Sequence, residues 1–192
     1  MPLSSSFHTF KKEQTVVKEI APENFLGRYL TNKNLSNVEI YYKTGIPATD
    51  LSRMRNGEIS AVPAHRLYLI SLVTGDTMEV VLKEVFPNLT LIHTNNPLSS
   101  KIKETTTPIG RTLFSLEEYT FEAISYKTGI TISRLRNLAT KETSIVLSHQ
   151  LYLIELAANR KPGLLFNKLF ENVKLNTETE QKRLQNEDSN DL

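Results

Sequence analysis

Side chains that form strong, directional hydrogen bonds are concentrated at two places in the chain. One stretch reads Ser52-Arg53-Met54-Arg55-Asn56, and a later one reads Ser133-Arg134-Leu135-Arg136-Asn137. A guanidinium group donates in pairs to a planar acceptor, and hydroxyl and amide groups both donate and accept. These groups suit binding to phosphates, carboxylates or base edges. They do not supply a nucleophile with a general base beside it.

Residues that could catalyse a reaction or hold a metal are sparse. Asp50 and Glu58 are lone carboxylates, and the sequence has no Gly-rich phosphate loop and no Ser/His/Asp spacing. His65 and His149 occupy matching positions, but neither has a second ligand three or four residues further on, so we predict capping or packing roles for them. The chain has no cysteine, which excludes disulfides and thiolate sites. We therefore expect a protein that is not an enzyme and that uses no metal or cofactor.

Charge is unevenly distributed along the 192 residues, although the net charge is only +2. Residues 176–192 carry five acids and two bases, so the preceding residues hold 21 bases against 16 acids. A modestly basic body suits nucleic acid but also many other partners. Neither a signal peptide nor an apolar run long enough to span a membrane is present, so we expect a cytoplasmic location without membrane partners.

The chain contains an internal duplication. Tyr42-Lys43-Thr44-Gly45-Ile46 returns unchanged as Tyr126-Lys127-Thr128-Gly129-Ile130, and 15 of the 31 positions in 42–72 are identical to those in 126–156 without a gap. Chance agreement would give about two. The chain therefore holds two copies of a unit of about 65 residues, a size near the lower limit for a lone hydrophobic core. We expect the copies to pack on each other or to self-associate.

Hydrophobic spacing predicts an all-α fold with the same order of helices in both copies. Gly45 ends one helix, Pro47 fits the first turn of the next, and Asp76 is the predicted N-cap of the last helix in the first copy. The predicted helices cover 23–31, 37–44, 47–56, 63–73 and 77–86, then 111–116, 121–128, 131–140, 147–158 and 163–170. The predicted organisation is an N-terminal arm (1–21), a first domain (22–89), a linker (90–108), a second domain (109–175) and a disordered tail (176–192).

Two short helices joined by a glycine turn form the centre of each copy, a pattern typical of a helix-turn-helix. Counted from the turn glycine, apolar residues recur at the same offsets and bury the two helices against each other. The outer face of the second helix is then free to enter a major groove about 12 Å wide. The apolar positions are Ile40, Ile46, Leu51 and Met54 in the first copy and Ile124, Ile130, Leu135 and Leu138 in the second.

The stretch from Thr44 to Gly57 (Thr-Gly-Ile-Pro-Ala-Thr-Asp-Leu-Ser-Arg-Met-Arg-Asn-Gly) resembles the helix-turn-helix of the lambda repressor and Cro superfamily. Members commonly have Thr-Gly-Ile, four variable positions, then apolar-Ser-Arg-apolar, two polar positions and Gly. The resemblance covers both copies and implies two repeated five-helix DNA-binding domains, with 47–56 as the reading helix of the first. The chain departs from the family where alanine is usual, since it has Tyr41 in one copy and Ser125 in the other.

The resemblance also implies which residues contact DNA. In the first copy these are Ala48, Thr49, Ser52 and Arg53, with Asn56 near the backbone. In the second, the gapless frame gives Ile132, Ser133, Arg136 and Asn137, with Thr140 and Lys141 near phosphate. An alternative frame, which pairs Ser52 with Ser133, aligns the two Ser-Arg-x-Arg-Asn runs instead, but it requires a deletion and a compensating insertion. Arg28 and Arg111, each early in a first helix, are possible phosphate contacts.

These features together predict a sequence-specific double-stranded DNA-binding regulator of transcription of the bacterial or phage type, with repression as its expected mode of action. One chain would serve as a pseudo-dimer with two unlike readers about one helical turn apart, with a homodimer as the other possibility. A different class is a protein-interaction adaptor or antitoxin-like partner, in which helix-turn-helix units no longer bind DNA. A third is a nucleoid protein that binds duplex DNA without sequence preference.

Overall fold

The fold is all-α, as the sequence predicted. The computed structural model describes residues 21–95, 107–114 and 120–190, so the predicted arm and most of the predicted linker lie outside the described residues. Within these ranges the chain forms helices and one isolated β-bridge. The helices are α1 (Leu26–Asn32), α2 (Asn37–Thr44), α3 (Ala48–Arg55), α4 (Ala64–Thr74), α5 (Met78–Val85), α6 (Pro108–Phe114), α7 (Phe121–Thr128), α8 (Ile132–Thr140), α9 (Ser148–Ala157), α10 (Leu164–Leu169) and α11 (Glu178–Asn190).

The α2–α3 turn and the α7–α8 turn are built in the same way. Gly45 and Gly129 end α2 and α7 with φ of 71° and 75°, a left-handed conformation that favours glycine. The hydroxyl of Thr44 donates to the carbonyl of Ile40 at 2.6 Å and accepts from the amide of Ile46 at 3.1 Å. Thr128 makes the same two bonds, at 2.6 and 3.2 Å. The shared Thr-Gly-Ile run therefore specifies the turn locally.

The second half follows the gapless frame. Helix α8 begins at Ile132, which that frame pairs with Ala48, the first residue of α3. Leu135 and Leu138 are buried at the positions that Leu51 and Met54 occupy in α3. The two helices are therefore anchored by equivalent side chains.

Helix α1 packs closely on the end of α3, and α6 packs in the same way on the end of α8. The equivalent glycines are Gly27 and Gly110, which are 83 residues apart, so the repeat is shifted by one residue here. A Cβ on Gly27 would overlap the carbonyl oxygen of Arg55, and a Cβ on Gly110 would overlap the backbone of Ala139. Only glycine permits such a close approach of two backbones. Gly27 and Gly110 thus hold α1 against α3 and α6 against α8.

Helix α1 begins at Leu26, three residues later than predicted, and two further predictions at helix starts were wrong. Helix α5 is capped by Thr77, whose hydroxyl accepts from the amide of Val80, rather than by Asp76. The carboxylate of Asp76 instead accepts from the hydroxyl of Tyr29 at 2.7 Å and pairs with Lys33 at 2.6 Å. The hydrogen bond from Lys33, and to a smaller extent that from Tyr29, lowers the pKa of Asp76.

The other wrong prediction lies at the start of α6, which begins at Pro108 rather than at 111. The preceding Thr107 is buried, although it was assigned to the linker. Its hydroxyl donates to the carbonyl of Leu138 at 2.9 Å and accepts from the amide of Gly110 at 2.8 Å. Thr107 therefore belongs to the second half. The predicted end of this helix, at 116, lies outside the described residues.

The predicted disordered tail is a helix, α11. Thr177 and Glu180 form a capping box in which the Thr177 amide donates to the Glu180 carboxylate at 2.7 Å. Glu, Gln, Lys and Arg are good helix formers, so a polar composition does not exclude a helix that rests on another element. Here that element is α2, where the hydroxyl of Tyr42 donates to Asp188 at 3.1 Å.

The two halves pack together through a locally two-fold arrangement. Pro63 and Leu147, which are equivalent in the gapless frame, form the antiparallel bridge. On either side of it the Ala64 amide donates to the Val146 carbonyl at 2.9 Å, and the Ser148 amide donates to the Val62 carbonyl at 2.8 Å. Helix α4 lies against α9, and buried residues of both halves form one hydrophobic core.

The chain that follows each half crosses to the opposite half. The amide of Ile92 donates to the carbonyl of Lys127 in α7 at 2.8 Å, and the amide of Asn176 donates to the carbonyl of Lys43 in α2, also at 2.8 Å. The two bonds join equivalent positions of the gapless frame. The carbonyls at a helix C-terminus lack partners within the helix, so each crossing segment satisfies one for the other half.

A buried carboxylate fixes α10 between the halves. Glu155 in α9 is fully buried and accepts from the amides of Gly163 at 2.8 Å and Leu165 at 2.6 Å. Burial raises the pKa of Glu155 to about 7, against the opposing effect of the backbone amides. Helix α10 contacts α4 and α5 of the first half as well as α6 and α9.

Candidate nucleic-acid interface

Helix α3 is held by one face and exposed on the other. Leu51 and Met54 are 0% and 1% exposed and anchor the helix in the core. Thr49, Arg53 and Asn56 are exposed, whereas Ala48 and Ser52 are partly exposed. The predicted reading residues of the first half therefore lie on one accessible surface, and no neighbouring helix of the described chain seals it.

Arg55 has a different role from Arg53, although both lie in α3. Its guanidinium donates to Asn37 at 3.0 Å, to the carbonyl of Leu35 at 2.6 Å and to the hydroxyl of Thr31 at 3.3 Å. Arg55 thus ties α3 to α1 and to the start of α2. The only signal in the sequence is helical spacing: Arg55 comes one turn after the buried Leu51 and so points toward the protein.

Helix α8 presents the corresponding surface of the second half. Ser133, Arg136, Thr140 and Lys141 are exposed, and Ile132 and Asn137 are partly exposed. The hydroxyl of Thr140 donates to the carbonyl of Arg136 at 2.8 Å, which places it along the helix. The surface is continuous from the N-terminal turn of α8 to the loop that follows it.

The two exposed helices differ in charge. Residues 47–61 contain two acids and two bases, whereas the equivalent residues 131–145 contain one acid and three bases. In the first half Arg53 lies 3.7 Å from Glu58, and Asp50 pairs with Arg66 at 2.8 Å. The second surface is thus more positive by two charges.

The ion pair between Asp50 and Arg66 is replaced in the second half by a hydrogen bond between the equivalent residues, Arg134 and Gln150. There Arg134 donates to the side-chain oxygen of Gln150 at 2.9 Å and also to the carbonyl of Ile145. Sequence reasoning missed this role of Arg134, because the guanidinium reaches a loop that lies well beyond the next turns of the helix. Arg134 therefore fixes the loop after α8 to the helix itself.

The two arginines predicted early in the first helices are both exposed. The guanidinium of Arg28 lies 4.5 Å from the centre of the Phe25 ring and lines a surface cavity with Lys83 and Glu84 of α5. The structure therefore places Arg28 toward α5. Arg111 lies on α6, two residues before the buried Leu113.

The matched histidines lie in the first turns of α4 and α9, where His65 is exposed and His149 is buried. In residues 21–95, 107–114 and 120–190 no three His, Asp or Glu side chains are placed to share a metal ion. Over the same part of the chain, no helix combines the length and apolar character that a membrane span needs.

Comparison with protein-family models, with curated proteins and with solved structures finds no match to this chain.

Proposed function

We propose that this chain is a sequence-specific double-stranded DNA-binding protein that regulates transcription, most simply as a repressor. In this proposal each half is a five-helix domain of the lambda repressor type, with α3 and α8 as reading helices. One observation carries the proposal: both helices are anchored by buried residues on one face and keep a polar, accessible opposite face. A helix presented in this way fits the major groove with its N-terminal end leading.

The side chains on these faces have the chemistry for base and backbone contacts. Arg53 and Arg136 can donate in pairs to guanine, and Asn137 can pair with adenine. Thr49 and Ser133 lie in the first turn, where a reading helix comes nearest to the bases. Lys141, near the end of α8, is suited to phosphate, and Thr140 would donate to phosphate once its hydroxyl turns away from the Arg136 carbonyl. Because the faces differ in residues and charge, the two half-sites should differ as well.

The fixed relation between the halves supports a pseudo-dimer within one chain. The hydrogen bonds around Pro63 and Leu147 join the loops that follow α3 and α8. The two crossing segments also join the halves: the segment at Ile92 binds the end of α7, and the segment at Asn176 binds the end of α2. A rigid pair of readers demands one spacing between half-sites, about one helical turn or 34 Å.

The test is selection of bound sequences from a pool of random duplexes. The wild-type chain should enrich a motif of two unlike halves. Arg53→Ala should lose information in one half and Arg136→Ala in the other, while Lys168→Ala, an exposed lysine on α10, should change neither. Binding should weaken steeply between about 50 and 200 mM salt, because several phosphates are contacted.

Spacing gives a second readout on the selected duplex. Inserting about half a helical turn of base pairs between the halves places them on opposite sides of the duplex, so binding should fall to the level of one half-site. Equal affinity for random duplex would replace the regulator by a nucleoid protein. The absence of any binding to duplex would refute both.

An interaction adaptor is the second candidate, and the docking of α11 on α2 favours it. In the structure the outer side of α2 already packs against α11, so it is a surface on which a helix can bind. In this case the partner would compete with α11. Its binding would depend little on salt, unlike binding to phosphates.

A further inference from the structure

The loop between α8 and α9 carries an exposed, bulky apolar side chain. Ile145 is 57% exposed, which is high for an isoleucine. It is followed by Val146 and Leu147, which form the junction between the two halves. Pro63 and Leu147 are equivalent positions that pair with each other, so the junction lies where an approximate two-fold axis relates the loop after α3 to the loop after α8. Ile145 therefore lies two residues from the point at which the two halves are joined by this local two-fold relation.

The backbone that carries Ile145 is fixed to the second reading helix. Its carbonyl accepts from the guanidinium of Arg134, which lies between Ser133 and Leu135 of α8. On the other side, the Val146 carbonyl accepts from Ala64 across the junction. An isoleucine also has few side-chain rotamers, because its Cβ is branched. The backbone at Ile145 and Val146 is thus held by hydrogen bonds, and the Ile145 side chain projects from it into solvent.

The equivalent residue of the first half cannot project in the same way. It is Ala61, which is exposed but has a single methyl group. The pair Asp50 and Arg66 occupies the positions of Arg134 and Gln150, so the first half differs in both the hydrogen-bonded arginine and the projecting residue. The feature is therefore confined to one side of the junction.

We propose that Ile145 is a wedge that enters the minor groove at the centre of the duplex site and opens one base-pair step. This inference rests on the proposed function. When two readers occupy successive major grooves on one side of a duplex, the minor groove faces the protein between them. Apolar side chains inserted between base steps unstack them and kink the duplex by about 20–90°. The binding energy gained by burying the isoleucine offsets part of the cost of unstacking.

A wedge at this position makes the centre of the site selective without a hydrogen bond to a base. Pyrimidine–purine steps unstack most easily, so a TA or CA step should be preferred at the centre. The preference should be displaced toward the second half, because Ala61 supplies no equivalent side chain. The site would then have three parts: two unlike half-sites and a deformable step between them.

The experiment uses the full chain and the duplex enriched from the random pool, with 2-aminopurine at the central step. Binding of the wild-type chain should raise the 2-aminopurine fluorescence, and phased-bend electrophoresis should show a kink. Ile145→Ala should remove both signals and weaken binding about tenfold on a TA centre. Ala61→Ile should enlarge the bend. Leu164→Ala removes a similarly exposed side chain from α10, at 47% exposure, and should change neither signal.

The outcomes separate the wedge from the proposed function. If the wild-type chain enriches a motif but Ile145→Ala bends and unstacks the duplex equally well, the wedge is overturned and the DNA-binding function stands. If Ile145→Ala instead changes the oligomeric state in sedimentation, Ile145 belongs to a contact between copies and the wedge is also overturned. If no duplex is enriched, the proposed function fails and the wedge with it.

Discussion

Glu155→Gln should flatten the dependence of stability on pH. The carboxyl of Glu155 is fully buried, and its pKa is raised from 4.5 to about 7. Between these two values the unfolded chain has lost the proton while the folded chain still holds it. The free energy of unfolding therefore falls as pH rises from about 4.5 to about 7, and it stays low above that range.

The size of this effect follows from the difference in pKa. One pKa unit corresponds to about 1.4 kcal/mol, so the ionised carboxylate costs the folded chain about 3 kcal/mol. That is a large part of the stability of a small domain. Glutamine has nearly the same shape and keeps one oxygen to accept from the amides of Gly163 or Leu165, but it does not ionise.

Urea unfolding at pH 5 and pH 8 measures the effect directly. Wild type should lose about 2.5 kcal/mol between these values beyond whatever Glu155→Gln loses, since a small part of the total loss already lies below pH 5. The difference between the two proteins isolates Glu155 from the histidines. Glu142→Gln, at an exposed position, should behave as wild type. Parallel pH profiles for wild type and Glu155→Gln would refute the reasoning, because the carboxylate would then be fully compensated by its two amides.

Three further changes test how the helices are held. Gly110→Ala places a methyl group against the backbone of Ala139 and should destabilise the fold by about 3 kcal/mol or more in thermal unfolding; an unchanged melting temperature would contradict the close packing of α6 on α8. Asn176→Ala removes the 2.9 Å bond from its side-chain amide to the Tyr42 carbonyl and should cost about 1 kcal/mol, with faster hydrogen exchange in α2 as the readout. Unchanged exchange there would show that this side-chain bond does not hold α2, since the backbone bond from Asn176 to the Lys43 carbonyl is kept. Arg55→Ala removes three hydrogen bonds and should cost about 2 kcal/mol in urea unfolding; a loss of DNA affinity without a loss of stability would instead place Arg55 at the interface.

The part of this fold that sequence predicts well is the part that local chemistry specifies. Helices α2 and α7 have the predicted boundaries, because a capping hydroxyl, a left-handed glycine and the Thr-Gly-Ile turn lie within a few residues of one another. The buried anchors Leu51 and Leu135 follow from helical spacing alone. The accessible face of α3 follows from the same spacing. Because Leu51 and Met54 lie on the buried side of the helix, Thr49 and Arg53 lie on the exposed side.

Side-chain partners far along the chain were not predictable in this way. The carboxylate of Asp76 binds Lys33 and Tyr29 instead of capping α5, and Arg55 ties three elements together. The buried state of Glu155 depends on the chain that folds over it, and nothing near it in the sequence signals a raised pKa. These roles need atoms from residues that come together only after the helices pack.

The sequence by itself determined that this chain is helical, that its second half repeats the first, and where its glycine turns lie. It left two frames open for the second reading helix, and the start of α8 at Ile132 selects the gapless one. Only the tertiary structure decided that the halves share one core, that the chain after each half crosses to the other, and that the polar tail is a helix on α2. The physical reason is one of range. Turns and caps are satisfied by neighbouring residues, whereas the carbonyls at the ends of α2 and α7 take their partners from chain that lies on the opposite half.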